Sequence, residues 1–310
     1  MIPRLDNPER QRLRQEDLPT LTQWDKCGLF PAVDEDGAAF AQRLETLREK
    51  REECETGLRE VGECTLDGLT LKQTQAIPRN VLEEAGHRTR ALYGFQCDWV
   101  PGFFQTPSMG WLFGGCTYSW PPDLFTVFIV NERLRERRRT FLFSREELMA
   151  HELCHVARAG LNSQCFEEHF AYQTSHSAFR RAWGGIMHSQ GDSFLFLGSC
   201  LLLLLGQFAL PYCAPNLPLF LNWLPLLLTA LFLILRHCHT RATFAKALRT
   251  LTQVCGGDAQ KARILLFHAT DQEIRSLAKA PASTAHELLA QWANTQLRWK
   301  IAGFRTGILR

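Results

Sequence analysis

The sequence predicts an α+β fold, mostly helical with a small sheet, that carries a two-helix transmembrane hairpin and closes on an all-α C-terminal domain. Three features predict it. Residues 194–235 are almost free of charge, while the first 60 residues are crowded with Arg and Glu. Elsewhere apolar residues recur at helical spacing between capping signals. One run, Leu124 to Asn131 (LFTVFIVN), is β-branched and aromatic, the composition of a strand.

Composition narrows the possibilities. Of 310 residues 45% are hydrophobic and 22% charged, and the net charge of +3 gives no general attraction to nucleic acid. With 21 Phe and 8 Trp the chain has material for a core and is not disordered. The 11 cysteines are odd in number, and the opening residues MIPRLDNPERQRLRQEDL are polar and charged. A disulfide framework is therefore not expected, and the soluble parts read as cytosolic and reduced. A mean hydropathy of −0.16 averages over unlike parts.

Residues 1–95 read as an N-terminal helical region. Phe40, Leu44, Leu47, Cys54, Leu58 and Val61 form one narrow apolar stripe along a helix at 36–62, too short for a sustained heptad seam. A further helix is expected at 79–92, followed by a stretch from Cys97 to Val130 rich in Gly, Pro, Trp and Phe that ends in the strand. Arg133, Arg135, Arg137, Arg138 and Arg139 read as a solvated turn, at most a contact for anionic headgroups. Ser144 and Glu147 form a capping-box pattern that opens the next helix.

The hairpin occupies 193–237. Phe194 to Leu210 and Leu217 to Leu235 are uncharged runs that approach the ~20 residues needed to cross a bilayer, joined by the short PYCAPN. Arg180 and Arg181 precede the pair, while Arg236, Arg241, Lys246 and Arg249 follow it, so both soluble parts are expected on the cytoplasmic side. Pro218, Asn222 and Pro225 are tolerated features of a membrane helix. His237-Cys238-His239 reads as interfacial anchoring, because alternate residues on a helix share no face. In the C-terminal helical domain, 238–310, Cys255-Gly256-Gly257 stops one helix, Pro281 separates others, and Thr270/Glu273 and Thr284/Glu287 match capping boxes.

The chemistry lies between Glu147 and Ser175. His151, Glu152 and His155 spell H-E-x-x-H, a pattern expected by chance roughly 0.02 times in a chain of this composition. On a helix the two histidines share a face and can hold one Zn²⁺, while Glu152 points to the open side where an attacking water would sit. His286-Glu287-Leu288-Leu289-Ala290 is an internal control, since Ala290 replaces the second histidine. A catalytic site needs a third ligand, and the extended motif with a third histidine fails at Arg158 and Leu161. Glu167, Glu168, His169 and His176 remain as candidates downstream. Gly160 ends the first helix, Asn162 or Ser163 can cap the second, and Glu168, Ala171, Tyr172 and Ser175 form one stripe on it. Arg158 and Arg180 read as structural ion-pair partners, and Cys154 as small packing.

His151-Glu152-x-x-His155 followed by Glu168-x-x-Ala171-Tyr172 resembles the gluzincin zinc peptidases. The resemblance covers about 30 residues and implies a zincin-like catalytic core at 96–192, with Glu168 as third ligand and Glu167 as its neighbour. It also gives Leu124 to Val130 two readings, an edge strand along which a peptide lies extended or a plain core strand. Integral-membrane metallopeptidases of the CAAX-protease and heat-shock-protease type are similar in pairing such a motif with membrane helices. Here the membrane pair follows the third ligand, and Tyr172 stands where they carry Asp.

The function expected is that of a membrane-anchored zinc peptidase acting on peptide or protein substrates at the cytoplasmic side. Glu152 would be the base, and Tyr172 would orient Glu168. The rivals are a non-catalytic membrane scaffold with a structural zinc site and a zinc hydrolase acting on another bond.

Overall fold

The computed structural model describes residues 5–105, 114–120, 124–140, 144–213, 216 and 218–308. Much of the expected Gly- and Trp-rich stretch, at 106–113 and 121–123, lies outside the described residues, as do 214, 215 and 217 of the turn between the apolar runs.

The chain opens with α1 (Asn7–Arg14), α2 (Leu18–Lys26) and α3 (Gly37–Glu60). Each is capped by an aspartate, Asp6, Asp17 or Asp36, which accepts a backbone N–H three residues on at 2.9, 3.0 and 2.8 Å. Such a cap contributes ~1 kcal/mol. The α3 stripe is buried from Phe40 to Leu58, but Val61 is 75% exposed. Val61 is the residue after the helix, and Gly62, with φ +84°, turns the chain away. It turns into β1 (Glu63–Leu66), which forms a hairpin with β2 (Leu69–Lys72) across the left-handed pair Asp67-Gly68. After α4 (Arg79–Tyr93) come β3 (Gly102–Gln105), β4 (Gly115–Trp120) and β5 (Phe125–Asn131). These make a mixed sheet of order β3-β5-β4, with β3 parallel and β4 antiparallel to β5. β5 is buried along its whole length, so the edge-strand reading of Leu124 to Val130 is replaced by the core-strand one, and β4 is an outer strand among the described residues.

α5 (Arg133–Glu136) carries the arginine run into solvent, where Arg138 pairs with Glu84. Then follow α6 (Arg145–Arg158), a 3₁₀ turn at Ala159–Leu161, α7 (Glu167–Tyr172) and α8 (Ala178–Trp183). Ser144 sits at the N-cap of α6, but the expected capping box does not form. Glu147 is turned instead toward Ser175 Oγ (3.1 Å) and His176 N–H (2.8 Å), and a tertiary bond outcompetes the local one. Asn162, in the left-handed region, ends the 3₁₀ turn without capping α7, and Ser175 lies beyond the end of α7.

α9 (Gln190–Cys213) and α10 (Leu224–Val254, preceded by a 3₁₀ turn at Leu219–Trp223) are the two long apolar helices. Both are long and apolar enough to cross a membrane, and only 6% of each apolar window is buried within the molecule. They are tied at the base by a bidentate Asp192–Arg236 pair (2.6 and 2.8 Å) and higher up by Asn222 Nδ2, which donates to Leu203 O at 2.8 Å. Asn222 is therefore a structural tie. His237 is not an interfacial anchor: it is buried, and its ring nitrogens face Gly185 O and Ala182 O.

α11 (Ala259–Phe267), α12 (Asp271–Lys279), α13 (Ala282–Thr295) and α14 (Leu297–Thr306) close the chain. The Thr270/Glu273 capping box is formed. The Thr284/Glu287 box is not, because α13 already starts behind Pro281 and Thr284 lies inside its first turn.

One buried cluster contains Leu13 and Trp24 near the N-terminus, Leu153 on α6, and Leu265 and Trp299 near the C-terminus, so the sequence divisions at 95/96 and 237/238 are bridged by a shared core. Polar bonds close it. Asp25 is buried between His268 Nε2 (2.7 Å) and Arg305. Arg305 also donates to the carbonyl of Gly94, the left-handed C-cap of α4, where any Cβ would collide with the guanidinium. Burial by itself would raise the Asp25 pKa, but the charges of His268 and Arg305 overcome it and hold the carboxyl at about 2. A depressed carboxylate stabilises the fold above its unfolded pKa of about 3.9 and loses that contribution as pH falls toward 2. Asp25→Asn should therefore cost about 3–5 kcal/mol at pH 7, because it strands the Arg305 cation. The gap between wild type and variant should narrow by about 2 kcal/mol as pH falls from 4 toward 2, as read by denaturation followed through Trp fluorescence; a gap independent of pH would contradict this account.

Candidate metal centre

The centre is built where α6 meets α7. On α6 the one-turn spacing sets His151 and His155 side by side, with His155 Nε2 3.1 Å from His151 Nε2. Glu168, on α7, places Oε2 3.5 Å from His151 Nε2 and Oε1 3.6 Å from His155 Nε2. Around a tetrahedral ion with bonds near 2.1 Å, neighbouring donors stand about 3.4 Å apart. The two nitrogens stand 3.1 Å apart and each lies 3.5 to 3.6 Å from a different oxygen of Glu168, so the carboxylate faces both imidazoles at close to that edge length. Among the described residues this is the one group of three such donors within 4.8 Å of one another. The donor set, two imidazoles and a carboxylate, is one that suits zinc.

The other candidates for the third position are directed elsewhere. Glu167 accepts from Arg158 Nε at 2.9 Å and lies 3.5 Å from His155 Nδ1, the nitrogen turned away from the other donors. It is thus placed to fix the ring of His155 and not to join the three donors. His169 turns toward α10, with its ring 5.3 Å from that of His237, and His176 bonds to Arg88. Arg158 is structural: it is buried, reaches Phe267 O and Ala269 O, and lies 4.0 Å above the Phe170 ring. Arg180 faces Glu147 at 3.6 Å.

Glu152 is buried beside the donors and makes no hydrogen bond or ion pair with either histidine. Thr117 of β4 donates to its Oε2 at 2.6 Å. Burial pushes the Glu152 carboxyl up, partly offset by His155 and by the Thr117 hydrogen bond. Burial also holds the His151 imidazole well below its ordinary range, reinforced by His155. At His155 the penalty of burial is overcome by the Glu167 hydrogen bond and the charges of Glu168 and Glu167, which raise it to about 9. Glu168 is raised by burial, with His155 opposing, while Glu167 is lowered despite burial by Arg158 and His155. Three carboxylates thus converge on two imidazoles, an electrostatic setting suited to a cation.

Tyr172 comes to the site by a different route from the one expected. Its ring stands edge-on to His151, with centroids 4.6 Å apart, and steadies the imidazole rather than hydrogen-bonding Glu168. The same ring packs on Gly184, where any Cβ would collide with it. Burial and the Glu168 charge push the Tyr172 phenol up to about 12.

The donors open into a cleft of about 640 Å³ walled by Gly115, Cys116 and Thr117 on one side and Asn162, Ser163 and Gln164 on the other. A second chamber of about 380 Å³ leads past Tyr172 to Phe179 and Trp183 of α8. Thr117 is the residue the sequence does not reveal, since nothing local in GCTYSW says that this strand passes α6. Asp271 is another: its carboxylate accepts the N–H groups of Gln164, Cys165 and Phe166 at 3.0, 2.8 and 3.3 Å and so holds the loop that leads into α7.

Comparison with protein-family models, with curated proteins and with solved structures yields no match.

The geometry predicts about one zinc per purified chain by elemental analysis. His151→Ala, His155→Ala and Glu168→Ala should each lose it. Glu167→Gln should keep the ion with affinity lowered about 10- to 100-fold, the usual effect of removing an orienting partner, and His169→Ala, which removes no donor, should keep the ion. Zinc retained in Glu168→Ala and lost in Glu167→Gln would reverse the assignment of the two carboxylates.

Proposed function

We infer that the protein is a membrane-anchored zinc peptidase with a zincin-like catalytic core, its apolar helices forming a transmembrane hairpin and its soluble parts lying together on the cytoplasmic side. The observation that carries this reading is the convergence of one donor atom each from His151, His155 and Glu168 within 4.8 Å of one another, with the Glu152 carboxylate alongside and held by Thr117. Zinc bound by these three residues would act as a Lewis acid toward a substrate carbonyl and make water more acidic.

The chain's own groups supply the rest. Glu152 takes a proton from the attacking water and delivers it to the leaving amine; its burial, which raises its affinity for the proton, suits it to both steps. Thr117 fixes the carboxylate by its hydroxyl, and Tyr172 and Glu167 hold the two imidazoles in orientation. A peptide substrate is read along β4. That strand's Gly115 to Thr117 border the cleft, and an extended chain laid against it adds a further strand by main-chain hydrogen bonds.

Glu152→Gln should keep zinc and fold while lowering cleavage of a peptide library, followed by mass spectrometry, by about 10²-fold or more. Loss of zinc in that variant would make Glu152 a ligand or a prop. For the topology, cysteine labelling in sealed vesicles should place positions 150 and 290 on one side and Cys213 on the other. If 150 and 290 are labelled from opposite sides, one of the two apolar helices does not span.

A further inference from the structure

A second cavity, of about 540 Å³, lies on the far side of α7. Helical spacing turns Phe170 of α7 and its C-cap Gln173 into it and Glu168 and Tyr172 into the metal cleft, so the two spaces share a helix but no lining residue. Its size falls within the ~300–1,000 Å³ of small-molecule sites.

Its lining is of two kinds. Leu92 of α4, Phe244 and Leu248 of α10 and Leu266 of α11 provide an apolar wall. Arg88, Arg181 and Arg263, with the imidazoles of His87 and His176, surround it, and among the described residues no carboxylate lines it. The positive charge is only partly compensated. Arg88 has Glu146 at 3.4 Å and the Thr174 carbonyl. Arg181 donates to two neutral carbonyls, Ser175 O (2.7 Å) and His176 O (2.8 Å). Arg263 makes no hydrogen bond or ion pair among the described residues, and its side chain is exposed at the cavity.

A greasy wall beneath a cluster of guanidinium groups asks for one molecule with both properties, a hydrocarbon chain ending in an anion. The wall on α10 lies on the same helix as the apolar stretch: Phe244 follows Arg236 by eight residues, about 12 Å along the helix. A single-chain amphiphile that exchanges in and out of a bilayer can reach such a place, whereas a two-chain phospholipid is too large for the space. We propose that this cavity binds a monoacyl anion, a long-chain carboxylate or monoacyl phosphate, with its head on Arg181 and Arg263 and its chain against Leu92 and Leu248.

The test uses the full chain in nanodiscs of neutral phosphatidylcholine, with radiolabelled palmitate and 1-palmitoyl lysophosphatidate as probes and empty nanodiscs as the blank. About one probe per chain should bind saturably. Arg263→Glu, at an exposed position without partners, should weaken binding tenfold or more. Ala91→Trp, on the exposed side of α4, fills the cavity and should abolish it, with circular dichroism unchanged in both variants. Either probe binding in this pattern supports the site. Absence of saturable binding, equal competition by lysophosphatidylcholine, or binding indifferent to Ala91→Trp overturns it. So does inorganic phosphate competing as well as the acylated probes, which would make this a site for free anions. None of these readouts depends on the metal centre.

Discussion

The centre stands or falls with the docking of α7 on α6. The third donor, Glu168, sits on a helix of six residues, far too short to persist by its own hydrogen bonds. Arg158, at the C-terminal end of α6, supplies the anchor: it is fully buried, paired to Glu167 at 2.9 Å, stacked on Phe170 and bonded to the carbonyls of Phe267 and Ala269. A buried cation is tolerable only when its donors are satisfied, and here the satisfying groups are α7 itself and the end of α11. The same contacts that neutralise the charge therefore fix Glu168 against the histidines.

Both ends of α7 are held from outside as well. Asp271, the first residue of α12, receives the backbone N–H groups that lead into the helix. Glu147, on α6, receives Ser175 and His176 just beyond it. The C-terminal helices are thus part of the scaffold of the site, which explains why they share one core with α6 and the N-terminal helices. The Asp25–His268–Arg305 network reinforces that union from below, since it joins α2 to the residue after α11 and to α14.

What the sequence reveals follows the range of the interaction involved. H-E-x-x-H is legible because two histidines a turn apart share a face whatever the fold. The helices at 37–60 and 79–93 and the strand at 125–131 are legible from periodicity and composition. The choice of Glu168 over Glu167 rested on resemblance, and adjacent glutamates become distinguishable only when Arg158 claims one of them. Local rules mislead where distant partners compete, as at Ser144, whose expected partner Glu147 is committed to the α7–α8 junction. Burial of His237 was equally hidden, for the groups that bury it, Trp183 and His169, arrive from 54 and 68 residues earlier in the chain. The Asp67-Gly68 hairpin is different: its turn signal is local and was available to reading.

The position of the centre relative to the apolar helices is also fixed by packing. α10 is continuous over 31 residues, exposed and apolar in its first half and carrying the buried core residues Ala247 and Leu251 in its second. His169, next to Glu168, packs its ring against His237 and Phe244 of that helix at 5.3 and 6.1 Å. His237 directly follows Arg236, whose pairing with Asp192 marks the base of the hairpin. A helix of this length bends little without a proline or an inserted side chain, and the prolines of this pair, Pro211 and Pro225, lie near its far end. α7 is therefore braced between α6 and α10. The separation of the three donors from the end of the apolar segment is thus set by direct packing of α7 on α10, through His169 and Phe170, and not by a linker.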